Sequence, residues 1–157
     1  MADSYLTLSP YLVVKDAEGA LEFYRKGLGA EELYRLREKG SDRIGHAEMT
    51  IHGALFMLSS EFPEMGALGP QGMPPIRLHL MVPDVDAALE RAVEAGATVI
   101  RPPTDEFYGH RQASFTDPFG YIWMLSKEFE KVSPEEMQRR YDAMMDELAA
   151  KKPTNAA

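Results

Sequence analysis

Residues 56–62, Phe56-Met57-Leu58-Ser59-Ser60-Glu61-Phe62, return 67 positions later as Trp123-Met124-Leu125-Ser126-Lys127-Glu128-Phe129, with five of the seven residues identical. Chance similarity between two apolar strands is the plain alternative, and the surroundings argue against it. At the same offset Gly53 falls on Gly120 and Gly29-Ala30 on Gly96-Ala97. With one residue more, Leu12 meets Leu80, Asp16 meets Asp84, and Ala20-Leu21-Glu22 meets Ala88-Leu89-Glu90. Letters and element order repeat together, which marks a duplicated structural unit.

Working outward from the repeat gives the elements of each copy. Leu8 to Val14 reads as an apolar strand, and Ala17 to Leu28 as a helix whose stripe is Ala20, Leu21, Phe23, Tyr24 and Leu28, stopped by Gly29. Strand patterns follow at 32–37, 43–51 and 54–59. Seven Pro and Gly residues between Glu61 and Pro75 mark a linking loop at 62–75. The second copy reads as a strand at 76–82, a helix at 85–95, and strands at 98–101, 111–116 and 121–126. The expected fold is therefore α+β: one domain of two βαβββ modules, about 8–61 and 76–129. A tail helix follows over about 133–150. Ser133-Pro134-Glu135-Glu136 predicts a capping box at its start. Met137, Tyr141, Met144, Met145 and Leu148 form a stripe expected to dock on the domain or on a second subunit.

The chain has 157 residues, 45% of them hydrophobic, enough for one core without staples. Its formal charge of −8 disfavours nucleic acid and anionic membranes as partners, since both attract basic patches. Having no cysteine, it can form neither a disulfide nor a thiolate metal site. The start, Met-Ala-Asp-Ser-Tyr, lacks the basic and apolar regions of a signal peptide, so the expected location is the cytoplasm.

Several stretches resemble the vicinal-oxygen-chelate superfamily, the family of glyoxalases, bleomycin-resistance proteins and extradiol dioxygenases. They are Tyr11-Leu12-Val13-Val14-Lys15-Asp16 before a helix containing Phe23-Tyr24, Asp84-Val85-Asp86-Ala87-Ala88 opening the second helix, and Asp117-Pro118-Phe119-Gly120-Tyr121 before the last strand. Phe107-Tyr108-Gly109-His110-Arg111 and the Val132-to-Glu136 segment resemble the PhnB-like branch. The resemblance implies half-barrel modules that pair into a cupped cavity, commonly across a homodimer. In metal-dependent members, His, Glu or Gln ligands from the first and last strands of each module project into that cavity.

Those four positions fall here on Ser9, Met57, Arg77 and Met124, none a usual ligand for the divalent ions this family uses. No cofactor is therefore expected. The leading expectation is a metal-free protein that binds an amphipathic or aromatic small molecule. Met57 and Met124 would form a deformable floor, with Tyr11, Arg77, Phe107, Tyr108 and Arg111 adding contacts. An alternative register makes His46, Glu48 and His79 the ligands of a divalent-metal lyase, isomerase or dioxygenase. A third reading uses His79 or Glu48 as the acid–base group of a metal-free enzyme. Against all three stands the plainer possibility that His46 and His79 are structural and both methionines are core. No phosphate loop or nucleophile elbow is present.

Overall fold

The computed structural model describes residues 8–153. The repeat is realised as two βαβββ modules. The first comprises β1 (Tyr11–Val14), α1 (Ala17–Leu28), β2 (Glu31–Arg37), β3 (Ile44–Ile51) and β4 (Ala54–Ser60). The second comprises β5 (Arg77–Met81), α2 (Val85–Glu94), β6 (Thr98–Asp105), β7 (His110–Thr116) and β8 (Ile122–Glu128), and α3 (Pro134–Lys151) follows. The sheets have the orders β1-β4-β3-β2 and β5-β8-β7-β6, and in each the first strand runs parallel to the last.

Local chemistry sets the helix ends. Asp16 caps α1 by accepting from the Gly19 N–H, and Asp84 caps α2 by accepting from the Ala87 N–H. Gly29 ends α1 in the left-handed conformation at φ 71°, where a side chain is strained. The capping box of α3 forms only by half. Ser133 Oγ accepts from the Glu136 N–H at 3.3 Å, but the Glu136 carboxylate is drawn instead to Arg139 and Arg140.

Alternation explains the core. Leu12, Val14, Ala47, Met49, Ile51, Phe56 and Leu58 lie on one face of the first sheet, and Ala113, Phe115, Trp123 and Leu125 on one face of the second. Each sheet lays that face on the helix of its own module, and the two helices pack on each other. Tyr24 of α1 sets its ring 5.5 Å from that of Phe56 and 5.6 Å from that of Trp123, so one side chain touches both sheets. Its hydroxyl donates to Asp117 Oδ2 at 2.7 Å, and the indole N–H of Trp123 and the backbone N–H groups of Phe119 and Tyr121 also donate to this carboxylate. Burial pushes the Asp117 pKa up, while the four donors hold it back. The helices thus lie between the two sheets, and each sheet leaves uncovered the face on the side away from its helix.

The inner edge of each sheet is capped by the other module. The Tyr121 hydroxyl both accepts from the Val13 N–H (3.0 Å) and donates to the Val13 carbonyl (2.9 Å). At the repeat-equivalent place, His52 Nδ1 lies 3.1 Å from the Met81 carbonyl. His52 reaches it from a turn at φ 49°.

Three expectations need correction. The first strand starts at Tyr11 rather than Leu8; Pro10 has no N–H for the ladder, and Leu8 is 89% exposed. The strand expected at 98–101 runs on to Asp105 through Pro102-Pro103, which an outermost strand tolerates, with a register shift between Arg101 and Thr104. Helix α3 buries no residue. It is tethered at its start, where Arg140 bonds the Phe107 carbonyl and Glu130, and Tyr141 meets Phe107. Of its apolar stripe Tyr141 alone is tied to the domain by a ring contact, and no stripe residue is buried there, so the first of the two expected docking surfaces is used only at Phe107.

Candidate functional site

The outward face of the first sheet carries a connected row. Tyr11 pairs with Met57, Met57 with Glu48, and Glu48 with Tyr34 across β1, β4, β3 and β2. His46 lies two residues before Glu48 and so shares its face. The Tyr34 hydroxyl donates to Glu48 Oε1 at 2.9 Å, and His46 Nε2 lies 3.5 Å from the same oxygen. The Tyr11 hydroxyl is 3.0 Å from His46 Nδ1. With the Nε2–H tautomer the ring donates toward Glu48 and Nδ1 accepts from the Tyr11 hydroxyl; with the other tautomer Nδ1–H donates to the Tyr11 oxygen. Glu48 is 1% exposed and Tyr11 45%, so the chain of contacts runs from a closed carboxylate to an accessible phenol. Such an arrangement can bind a polar group at its outer end, or pass a proton along it.

The matching row of the second sheet is His79, Met124, Ser114 and Arg101. Its chemistry differs. Arg101 Nη1 lies 2.7 Å from Glu106 Oε1, a charge contact without hydrogen-bond geometry. Loss of water around His79 lowers its pKa, with a smaller contribution from His110. One row further, His110 Nδ1 is 2.8 Å from Ser126 Oγ, and the Tyr108 hydroxyl donates to Gln112. Arg77 and His79 also border a pocket of about 190 Å³ against Pro10, Ile51 and Phe56 of the first module.

The residues expected at the site thus divide. Tyr11, His46, Glu48 and Met57 come together on one face. Arg77, His79, Tyr108 and Met124 belong to the other module. Ser9 precedes β1, and its hydroxyl oxygen is enclosed without a hydrogen-bond partner. Arg111 is a correction. It has the parity of Ala113 and Phe115, so it faces the helix layer, where Asp86 and Asp105 hold its guanidinium. Tyr34 was not anticipated. A register shift between Glu32 and Tyr34 turns Glu32 toward the helix side, where it meets Arg35, and leaves Tyr34 facing outward. A bulge of this kind leaves no mark in the letters.

The metal implied by the family finds no suitable donors. Two of the four ligand positions are thioethers, one is a guanidinium and one a hydroxyl. Among the described residues no group of three His, Asp or Glu side chains could hold an ion. His46 and Glu48 meet, but His79 lies on the opposite outer face. Among the described residues no helix is long and apolar enough to cross a membrane.

The chain is 39% identical over 145 residues to an uncharacterised protein of Mycobacterium bovis, a match covering 88% of this chain and 94% of that protein. An uncharacterised protein of Mycobacterium tuberculosis matches at the same identity, with 84% of it covered. Among solved structures, TioX from Micromonospora superposes with a TM-score of 0.64 at 23% identity, covering 80% of this chain and all of that one. The Pseudomonas aeruginosa protein PA1353 gives 0.60 at 27% identity, covering 79% and 98%. The fosfomycin resistance protein FosX from Listeria monocytogenes gives 0.64 at 20%, covering 87% and 99%. The model of the Glyoxalase/Bleomycin resistance protein/Dioxygenase superfamily matches residues 5–125, and with its duplicated βαβββ modules the chain belongs to that superfamily.

Proposed function

We propose that this protein binds a small amphipathic or aromatic molecule without a resident metal ion, between outward sheet faces brought together by a second copy of the chain. The observation that carries this reading is the first module's outer face. Half-buried Met57 stands between the accessible Tyr11 phenol and the His46–Glu48–Tyr34 cluster, offering a deformable apolar floor beside fixed polar groups. Each chain turns its two outer faces apart, so a cup with two walls needs two chains. The stripe on α3, with Met137, Tyr141, Met145 and Leu148 between 36% and 50% exposed, is further surface for that contact. Within the superfamily, the Phe107–Arg111 turn and the Ser133 cap support a place in the PhnB-like branch. A cytoplasmic setting fits the lack of cysteine.

The test is a screen of aromatic metabolites and drugs with methyl-labelled methionine, alongside sedimentation and elemental analysis. Expected results are ligand-induced shifts at Met57 and Met124, a mass near twice 17.6 kDa, and binding weakened about tenfold or more by His46→Ala. Stoichiometric metal retained through purification, or binding indifferent to His46→Ala, would sink the reading.

The Tyr11–His46–Glu48 chain also favours a second reading, a metal-free enzyme in which His46 moves a proton. Turnover of a screened ligand with a pH profile abolished by Glu48→Gln would support it. Binding without turnover would leave the first reading alone.

A further inference from the structure

A cleft of about 220 Å³ lies between the modules, away from both outer faces. Its walls are Leu28 at the end of α1, Leu80 and Val82 at the end of β5, Ala87 and Ala88 of α2, and Leu125 of β8. The duplication supplies an internal control, because the same place exists in the other half of the molecule. There the counterparts of Arg91 and His52 are Phe23 and Phe119. Those two rings stand 6.1 Å apart, and Phe119 also meets Tyr24 at 6.1 Å, closing the inner part of the space. Outside the rings lies a wider groove of about 590 Å³, lined by Lys15, Asp16, Glu61 and Phe119, but it does not reach the core: neither Leu12 nor Leu58 borders it. In the open cleft, the counterparts of those two leucines, Leu80 and Leu125, are reached.

The reason for the opening is visible. Arg91 is directed to the end of α1, where its Nε donates to the Lys26 carbonyl at 2.6 Å. His52 is held at the Met81 carbonyl. Neither side chain fills the space that the two phenylalanines fill in the twin, yet both remain at its rim. A cavity of about 150 Å³ with aliphatic walls is large enough to take a benzene ring.

We propose that this cleft is a binding site for a single-ring aromatic molecule carrying one polar substituent. The ring takes the place that Phe119 holds in the twin, and the substituent points to Arg91 and His52. The site is separate from the outer faces and does not depend on the function proposed for them.

The probe is 4-methylphenol, titrated into methyl-labelled protein. The expected result is saturable shifts at Leu80, Val82 and Leu125. Affinity should fall about tenfold or more in Ala88→Phe, which fills the cleft, and in His52→Phe, which installs the ring of the twin. The second variant serves if the first fails to fold. Shifts confined to Met57 and Met124, no saturable shifts, or unchanged affinity in a folded cleft variant would overturn the proposal.

Discussion

The two modules keep the same backbone and centre the same residue, yet their outer faces carry different chemistry. The first places Tyr11, Glu48 and Tyr34 around Met57; the second places His79, Ser114 and Arg101 around Met124. Duplication has preserved what the fold requires, namely the inward alternation of apolar residues. The outward positions have diverged, because the core places no demand on them. One face holds a closed carboxylate within a hydrogen-bonded cluster, and the other holds a half-exposed guanidinium paired with Glu106 and a histidine.

The sharpest way to break the symmetry is at the turns before the last strands. Asp117 takes four donors in the core, while its counterpart Thr50 is half-buried in β3. Asp117→Asn turns an N–H group on those donors, so a loss of about 2–4 kcal/mol is expected. Calorimetry should then show a melting temperature lower by roughly 5–15 °C, whereas Thr50→Ser stays within about 0.5 kcal/mol. Equal effects would mean that the network does not set the stability of the core.

A smaller contrast lies in the outer rows. Tyr34→Phe removes the hydroxyl donated to buried Glu48 and should cost about 1 kcal/mol in urea unfolding. Arg101→Ala, at the matching place with a half-exposed side chain, should fall within about 0.5 kcal/mol. The smallest effect is a pH dependence. With the His79 pKa lowered in the folded state, the unfolded chain takes up that proton first. Stability should therefore decline as pH falls through about 6.5, and His79→Gln should flatten that part of the curve.

The elements whose cause is local were legible in the sequence. Helix α1 has the limits that its apolar stripe and Gly29 indicate, and the repeat alone gave the module count. His46 and Glu48 could be placed on one face because period-two alternation is reliable inside an unbroken strand. What depends on pairing was hidden. Tyr34 reaches Glu48 only through a register shift. Arg111 could have been excluded by its parity with Ala113 and Phe115, since those two are core residues. Which way the modules turn their outer faces is decided by Tyr24, Phe56 and Trp123 meeting across the helix layer, a contact no spacing in the sequence encodes.

The prolines of β6 carry one more consequence. Pro102 and Pro103 sit on the outermost strand of the second sheet, beside its register shift. A strand added there would meet two positions with no N–H to offer, so fibril-like growth from that side stops at its first step. The inner edges of both sheets are already occupied at Val13 and Met81 by the neighbouring module. Replacing both prolines, for instance by Thr and Val, would leave the native fold its internal pairing while making the molecule prone to polymerise at high concentration, a liability that light scattering during storage would reveal.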